Sequence, residues 1–241
     1  MPPFKRHDGR KANELRAVKL TPGFVRKADG SCLIEIGGTR VICTASVTAG
    51  VPEWLAGKGR GWVTAEYGML PASTGSRKGR PTLKPDGRAV EIQRLIGRAL
   101  RSVVDFAALG ENTIYLDCDV LEADGGTRTA AITGAYVALV QAVNKAVRQG
   151  LCRFDAVSDQ VAAVSVGLMD GRAVLDLDYP EDSAAEVDMN VALLKGGRFI
   201  DIQASSERKP FDAAQLGQMI KLAAGGIRTL MDAQRRAIGE M

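Results

Sequence analysis

The residues best suited to chemistry lie in a glycine turn at 124–129, between the β-rich run 113–121 and the apolar, helix-like run 130–147. The two glycines of this turn let the backbone approach a ligand closely and adopt dihedrals that other residues avoid. Thr127 can cap the helix that follows, and the free N–H groups of that helix lie at the positive end of its dipole. Arg128 adds a permanent charge and a fork that fits phosphate. The turn therefore indicates a site for a small oxyanion, or a capped helix that binds no ligand.

A second set of candidates is a group of carboxylates in the stretch 177–190. Its acidic residues are Asp178, Glu181, Asp182, Glu186 and Asp188. A loop and the beginning of a strand separate Asp182 from Asp188, so both could face one pocket. Carboxylates at strand ends hold Mg²⁺ or act as general acid and base. The alternative is a solvated acidic turn, because no metal motif of fixed spacing is present.

The positive charge of the chain is concentrated in residues 76–101. Eight basic residues stand there against two acidic ones, so the net charge of +6 exceeds the +4 of the whole chain. The basic residues are Arg77, Lys78, Arg80, Lys84, Arg88, Arg94, Arg98 and Arg101. Such a concentration can attract a polyanion. The alternative is a solvated helix face beside an exposed loop.

The composition is that of an ordinary soluble globular protein. The chain has 241 residues, of which 46% are hydrophobic and 25% charged, enough for one large domain or two small ones. No apolar run approaches the roughly 20 residues of a membrane span, and residues 1–16 contain no segment of signal-peptide type. We therefore expect no association with membranes.

The cysteines and the single histidine exclude several kinds of site. Four cysteines lie far apart without a CxxC pair, which favours buried free thiols in a reducing compartment and a cytoplasmic location. His7 is the only histidine, so neither a zinc site nor a histidine-based mechanism is expected. The glycine patterns of serine hydrolases, P-loops and dinucleotide-binding folds are also missing. The remaining features suit phosphoryl chemistry on the end of a nucleic acid.

Hydrophobic periodicity predicts an α+β protein. Short turns join three pairs of β-rich runs into predicted hairpins: 31–36 with 39–44, 161–169 with 172–177, and 187–194 with 198–203. Other predicted elements are strands at 62–70 and 113–121, an exposed loop at 71–87, and helices at 90–104, 130–147 and 211–238. Since the order of elements is similar in both parts, we predict one domain, 1–241, built from related halves of about 1–150 and 151–241.

These motifs resemble those of ribonuclease PH, a family of phosphate-dependent 3′ exoribonucleases that trim transfer RNA. The matching runs are RHDGR at 6–10, KGRGWVTAEYGMLP at 58–71, GR at 87–88, EIQRLIGR at 91–98, DCDV at 117–120, ADGGTRTA at 123–130 and EDSAAEVDMN at 181–190. They follow the family's order and span nearly the whole chain.

The resemblance implies roles for particular residues. Those that match the family's phosphate site are Arg88, Gly126, Thr127 and Arg128, and those that match its paired catalytic or metal-binding aspartates are Asp182 and Asp188. Two loop arginines that the family uses for RNA match Arg77 and Arg80, and Arg94 and Arg98 are further candidates for the RNA backbone. A carboxylate beside a phosphate is unfavourable, so we expect Asp124 to brace the turn or pair with an arginine.

The resemblance also implies a fold, a reaction and an assembly. The fold would be a duplicated form of the second domain of ribosomal protein S5, with βαβ halves sharing one core, mixed sheets and long helices. Inorganic phosphate, the co-substrate, would attack the last phosphodiester of tRNA precursors and other structured RNA 3′ ends, with Mg²⁺ as cofactor. Nucleoside diphosphates would leave, and the reverse reaction would add nucleotides. The assembly would be a ring-shaped homo-hexamer, a trimer of dimers.

The chain departs from the family pattern at two places. Ala72 stands where the family usually has an arginine, and Ala204-Ser205-Ser206 replaces a usual Gly-Thr-Ala or Gly-Thr-Gly. These changes concern RNA affinity and the packing of the site. Two other functions are weighed against the enzyme: a non-catalytic, RNA-binding ring subunit of exosome type, and a small-molecule kinase on an S5-like fold. The kinase would need a Gly/Ser-rich phosphate loop that the chain lacks.

Overall fold

Two β-sheets form the framework of the protein. The computed structural model describes residues 5–80 and 86–239, in which the strands are β1 (Val18–Pro22), β2 (Gly30–Ile36), β3 (Thr39–Ala49), β4 (Trp62–Met69), β5 (Asn112–Glu122), β6 (Val161–Met169), β7 (Arg172–Leu175), β8 (Val187–Leu194) and β9 (Phe199–Ser206). The first sheet has the order β1-β2-β3-β5-β4 and the second has the order β7-β6-β8-β9. With five helices in the described residues, the protein has the predicted α+β class.

The helices connect and cover these sheets. They are α1 (Gly87–Arg101), α2 (Phe106–Leu109), α3 (Thr127–Arg148), α4 (Tyr179–Ala184) and α5 (Ala213–Gly239). Strands β4 and β5 are parallel, so the chain must cross over between them, and α1 lies in that crossover. Helix α3 packs against both sheets, and α5 packs on β6, β7 and β1.

One hydrophobic core runs through both halves. It joins Ile34 and Cys43 of the first sheet to Leu139 of α3 and Val164 of β6. Helix α3 lies very close to the first sheet at Gly134, where an added Cβ would meet Ile34 Cγ2 at 2.7 Å and Cys43 Sγ at 3.0 Å. This close contact limits how the N-terminal half of α3 can shift relative to the sheet, because protein interiors are close-packed.

The expectation that no apolar run approaches the length of a membrane span was wrong for helix α3. By length and composition it could cross a membrane, with a mean hydropathy of 1.3. However, 78% of this apolar window is buried inside the protein. A helix that packs on both sides needs apolar residues around most of its circumference, which is what a hydropathy scan detects.

The predicted elements are mostly present, with several differences. The hairpin pairs and long helices are found close to the predicted positions, but β1, α2 and α4 were not predicted because they are too short to show periodicity. Helix α1 begins at Gly87, so Arg88 lies within its first turn and not ahead of it. Among the described strands the second sheet is antiparallel throughout, and the βαβ unit occurs in the first half. Lys84, and residues 81–85 of the predicted loop, lie outside the described residues.

An aromatic cluster lies at one end of the first sheet. Trp54 meets Trp62 edge-on at 4.9 Å between ring centroids, and Trp62 stacks on Phe106 at 5.9 Å. The Arg101 guanidinium lies 4.9 Å from the Trp62 ring centroid and donates to Val63 O at 3.1 Å. Arg101 therefore does not belong to the predicted exposed basic face, because the aromatic ring and the carbonyl hold it against the sheet.

Candidate active site

The glycine turn before α3 and the acidic segment before β8 line a single cleft. Its volume is about 480 Å³, and its walls include Arg88, Gly125, Gly126, Thr127, Arg128, Ser165, Asp182, Asp188 and Asn190. The structure thus brings together the four residues predicted to bind phosphate and the two predicted catalytic aspartates. Their roles remain predictions.

The backbone of the turn requires glycine at two successive positions. Gly125 has φ +74° and Gly126 has φ +65°, both in the left-handed region. A Cβ on Gly125 would also lie 2.5 Å from the carbonyl oxygen of Leu177, which belongs to the other half of the chain. Gly126 is the N-cap of α3, and no side chain of the described residues caps this helix. Its first N–H groups are therefore available to an anion.

Thr127 does not cap α3 as predicted, because it is the first residue of the helix and its hydroxyl has another partner. Thr127 Oγ1 and the Tyr67 hydroxyl share a hydrogen bond of 2.8 Å. Tyr67 lies on β4 and is buried, and burial raises its pKa. The phenol stays protonated at neutral pH and holds the threonine at the cleft. Tyr67 stands in the run 58–71 that matches the family, but no role was predicted for it.

Two arginines approach the cleft from the first turns of two helices. Arg88 belongs to α1, whose N-cap Asp86 accepts from the Arg88 N–H at 3.0 Å. Arg128 belongs to α3, and its Nη1 donates to Glu91 Oε1 at 3.2 Å and to Gln203 Oε1 at 3.1 Å. The cleft thus combines two guanidinium groups with the positive end of a helix, which suits a phosphate.

Asp182 lies in α4 and Asp188 is the second residue of β8, so they reach the cleft from neighbouring elements. Burial raises the pKa of Asp182, although the charges of Arg88 and Arg128 oppose this shift. Burial, and then the charge of Asp182, raises the pKa of Asp188 to about 6. Asn190 Nδ2 donates to Asp188 Oδ2 at 3.1 Å. A carboxyl group with such a pKa can exchange a proton near neutral pH.

The other acidic residues of this segment are structural. Asp178 is the N-cap of α4 and accepts from the Glu181 N–H at 3.1 Å, while Glu181 accepts from the Asp178 N–H at 3.3 Å. Glu186 forms an ion pair with Lys209. No helix was predicted here, but this reciprocal capping stabilises a six-residue helix that places Asp182 at the cleft.

The N-terminal segment stabilises the position of α4 through contacts with its acidic residues. Arg6 is buried and contacts both carboxylate oxygens of Glu181. His7 Nε2 lies 2.7 Å from Asp178 Oδ2, and one potential ligand atom from each of His7, Asp178 and Glu181 falls within 4.8 Å of the others. Since Arg6 and the capping bonds already engage these carboxylates, the group is better described as an ion-pair network than as a metal site.

Arg16 connects the glycine turn to the second half of the chain. Its Nε and Nη2 donate to the two oxygens of Asp176, at 3.0 and 2.7 Å. Its Nη1 donates to the carbonyl of Asp124, and its Nη2 lies 3.4 Å from the carbonyl of Gly125. Asp124 braces the turn as expected, since its Oδ1 accepts from the Tyr179 N–H at 3.2 Å and its Oδ2 lies 3.7 Å from Arg16 Nη1.

Comparison with known proteins decides the family. Residues 14–144 match the sequence model of the 3′ exoribonuclease family, domain 1, and residues 159–226 match that of domain 2. The chain belongs to the 3′ exoribonuclease family. The cleft lies between the two matched parts: Arg88 and the glycine turn belong to domain 1, and Asp182 and Asp188 belong to domain 2.

Solved structures share the fold of this 3′ exoribonuclease family chain. A chain of the Archaeoglobus fulgidus exosome with RNA bound to the active site has a TM-score of 0.80 at 22% identity, over 95% of this chain and 92% of that one. Rice (Oryza sativa) Rrp46 has a TM-score of 0.79 at 18% identity, over 97% and 100%. A chain of an archaeal exosome core has a TM-score of 0.76 at 21% identity, over 96% and 91%.

The four arginines predicted to bind RNA are not in the wall of the cleft. Arg77 and Arg80 are exposed on the loop after β4, and Arg94 is exposed on α1. Arg98 pairs with Asp201 at 2.7 Å. Lys78 of this loop lines the cleft together with Thr74, Gly75 and Ser76, and no individual role was predicted for it. The part these arginines play in this family member remains a prediction.

Proposed function

We propose that this protein is a phosphate-dependent 3′-to-5′ exoribonuclease that trims the 3′ ends of tRNA precursors and releases nucleoside diphosphates. The observation that carries the proposal is a single cleft shared by the two family domains. Domain 1 provides the anion seat, formed by Arg88, Gly126, Thr127 and Arg128, and domain 2 provides two carboxylates that face it. Positioning and charge neutralisation contribute most to phosphoryl transfer, and both are built into this arrangement.

Inorganic phosphate would bind at the start of α3, between Arg88 and Arg128, with Thr127 beside it. One of its oxygens would attack the phosphorus of the last phosphodiester and form a new P–O bond. The bond from that phosphorus to the 3′ oxygen would break, and the oxygen would take the electron pair and a proton. Asp188, with its pKa of about 6, is suited to donate that proton. The products would be a nucleoside diphosphate and an RNA with a free 3′ hydroxyl.

Mg²⁺ is part of the proposal. The donor set fits it, because Mg²⁺ prefers oxygen ligands and commonly takes one or two carboxylates together with substrate phosphates. Asp182 and Asp188 would hold the ion together, or Asp182 would hold it while Asp188 acts as the general acid. When bound, the ion would neutralise charge on the transferring phosphoryl group.

The direct test supplies an RNA with a 3′ tail, Mg²⁺, and either inorganic phosphate or none. We expect shortening from the 3′ end only with phosphate, with nucleoside diphosphates as products. Addition of excess nucleoside diphosphate should lengthen the RNA. Shortening that is indifferent to phosphate, or release of nucleoside monophosphates, would overturn the proposal.

The proposed assembly is a homo-hexameric ring in the cytoplasm. It is supported by the shared fold with chains of exosome cores, one of which has RNA bound to the active site. The same likeness favours the second candidate, an RNA-binding ring subunit without activity. That candidate predicts a protein that binds RNA and stays inert with phosphate and Mg²⁺, although the anion seat and both aspartates are present.

A further inference from the structure

One buried hydroxyl in the cleft has no hydrogen-bond partner within the described residues. Ser165 is 3% exposed, and its Oγ is buried and unpaired. It lies in the middle of β6, in the otherwise apolar sequence VAAVSVGLM, and it lines the cleft. A buried polar atom without a partner loses its hydration and gains nothing in return. The unpaired hydroxyl therefore points to a polar ligand that binds at this position.

The position of Ser165 indicates which ligand that is. A Cβ built on Gly126 would lie 3.6 Å from Ser165 Oγ, so the hydroxyl is next to the N-cap of α3. In the β6–β8 ladder Ser165 pairs with Asn190, which contacts Asp188. The hydroxyl thus lies beside the start of α3, on a strand residue whose ladder partner contacts Asp188. An anion seated on those N–H groups would offer it an acceptor oxygen.

We propose that Ser165 is a ligand of the inorganic phosphate, donating its hydroxyl proton to an oxygen of the anion bound at the start of α3. The phosphate is then held by both halves of the chain: by α1 and α3 from the first and by β6 from the second. The identity of the anion as a reactant rests on the proposed function, whereas its binding can be measured without any reaction.

The test compares two serine-to-alanine changes. Ser31 provides the matched control, because it is also buried but lies in the first sheet. Unlike Ser165, its Oγ has a partner, since it accepts from the Val25 N–H at 2.8 Å. Ser165→Ala should leave the thermal midpoint without phosphate unchanged or higher, and should weaken phosphate binding about tenfold. Ser31→Ala should lower the midpoint and keep the phosphate-dependent rise. Ser165→Cys, which keeps the size but has a weak donor, should behave like Ser165→Ala.

Binding of inorganic phosphate is measured by the rise in thermal midpoint over a phosphate series, and the KM for phosphate is measured in phosphorolysis. If the wild-type protein binds phosphate and both Ser165 variants bind it equally well, this inference is wrong and the proposed function stands. If the wild-type protein binds phosphate through Ser165 but never shortens RNA, the proposed function is wrong and the anion site stands.

Discussion

The carboxyl group of Asp188 gains or loses its proton at a pH close to neutral. Its pKa in the unfolded chain is 3.8, and in the folded protein burial and the nearby Asp182 raise it to about 6. Between these two values the folded protein holds a proton that the unfolded chain has released. Stability therefore falls as the pH rises from 3.8 through about 6, and above this range the folded protein carries the full cost of a buried charge.

Asp188→Asn should remove this pH dependence and also the proton donor. We expect the variant to be more stable than the wild-type protein by about 1–3 kcal/mol at pH 8, with the difference vanishing near pH 4. Its kcat for phosphorolysis should fall by about 10²–10⁴. The predicted stability difference is measured by urea denaturation at a series of pH values without phosphate. A stability difference that does not change with pH would contradict it.

Arg128→Ala should separate phosphate binding from RNA binding. The guanidinium lies at the seat of the anion, so we expect the KM for phosphate to rise about 10- to 100-fold while the Kd for RNA changes much less. Arg153→Ala, which removes an exposed arginine paired with Asp155, is the control and should change neither value. Equal losses of phosphate and RNA binding in Arg128→Ala would mean that the anion seat is wrongly assigned.

The cleft residues that belong to local sequence patterns could be predicted. Those whose contacts are with residues distant in the sequence could not. Gly126 and Arg128 stand in a glycine turn before a helix, and Asp182 and Asp188 stand in an acidic cluster. The role of Tyr67 could not be predicted, because its hydrogen-bond partner, Thr127, is 60 residues away in the sequence. Ser165 did leave a local signal, a single hydroxyl in an apolar strand, but its position beside Gly126 depends on how the halves pack.

At the scale of elements, the side chain of Arg16 joins the glycine turn to the segment that leads into α4. Arg16 comes from the segment before β1 and joins the carbonyls of the turn to Asp176, which precedes α4. Both side chains of this ion pair are buried, with relative exposures of 6% and 5%. The anion seat and the carboxylates therefore depend on a residue that is itself outside the cleft wall.

Arg16→Ala should cost about 3–5 kcal/mol of unfolding free energy, because it removes the guanidinium that contacts both oxygens of the buried Asp176 carboxylate and leaves only Arg10, at 3.5 Å, as a charged partner. Phosphate binding should weaken in the same variant, since the turn loses its brace. Arg198→Ala removes an exposed partner of Asp159 and should cost less than about 1 kcal/mol. Chemical denaturation measures both variants, and similar small losses would show that Arg16 does not hold the two parts together.

The elements that could be predicted are those with a strong local period. The hairpins show alternation around short turns, and α1 shows an apolar face, so each was placed within a few residues. Helix α4 was missed because its six residues are stabilised by reciprocal capping and by Arg6, more than 170 positions away. The order of strands in each sheet and the path of α3 between the sheets also depend on packing that no local pattern records.

At the scale of the whole molecule, several large apolar side chains lie on the surface of the single chain. Phe154 is 85% exposed, Trp54 55% and Phe199 48%. Exposed apolar side chains that form a contiguous patch are typical of contacts between subunits. We expect light scattering to give a mass about six times the 25.6 kDa of one chain. A monomeric mass at all concentrations would contradict the proposed ring.

The aromatic cluster has a consequence for optical measurements. The chain has two tryptophans, Trp54 and Trp62, and both lie at one end of the first sheet. Intrinsic tryptophan fluorescence therefore reports the local order of one half, whereas circular dichroism reports the secondary structure of both. Because one core joins the halves, the two signals should change together on unfolding. A fluorescence transition at a higher denaturant concentration than the circular dichroism transition would reveal that the second half, with its two aspartates, can lose its structure first.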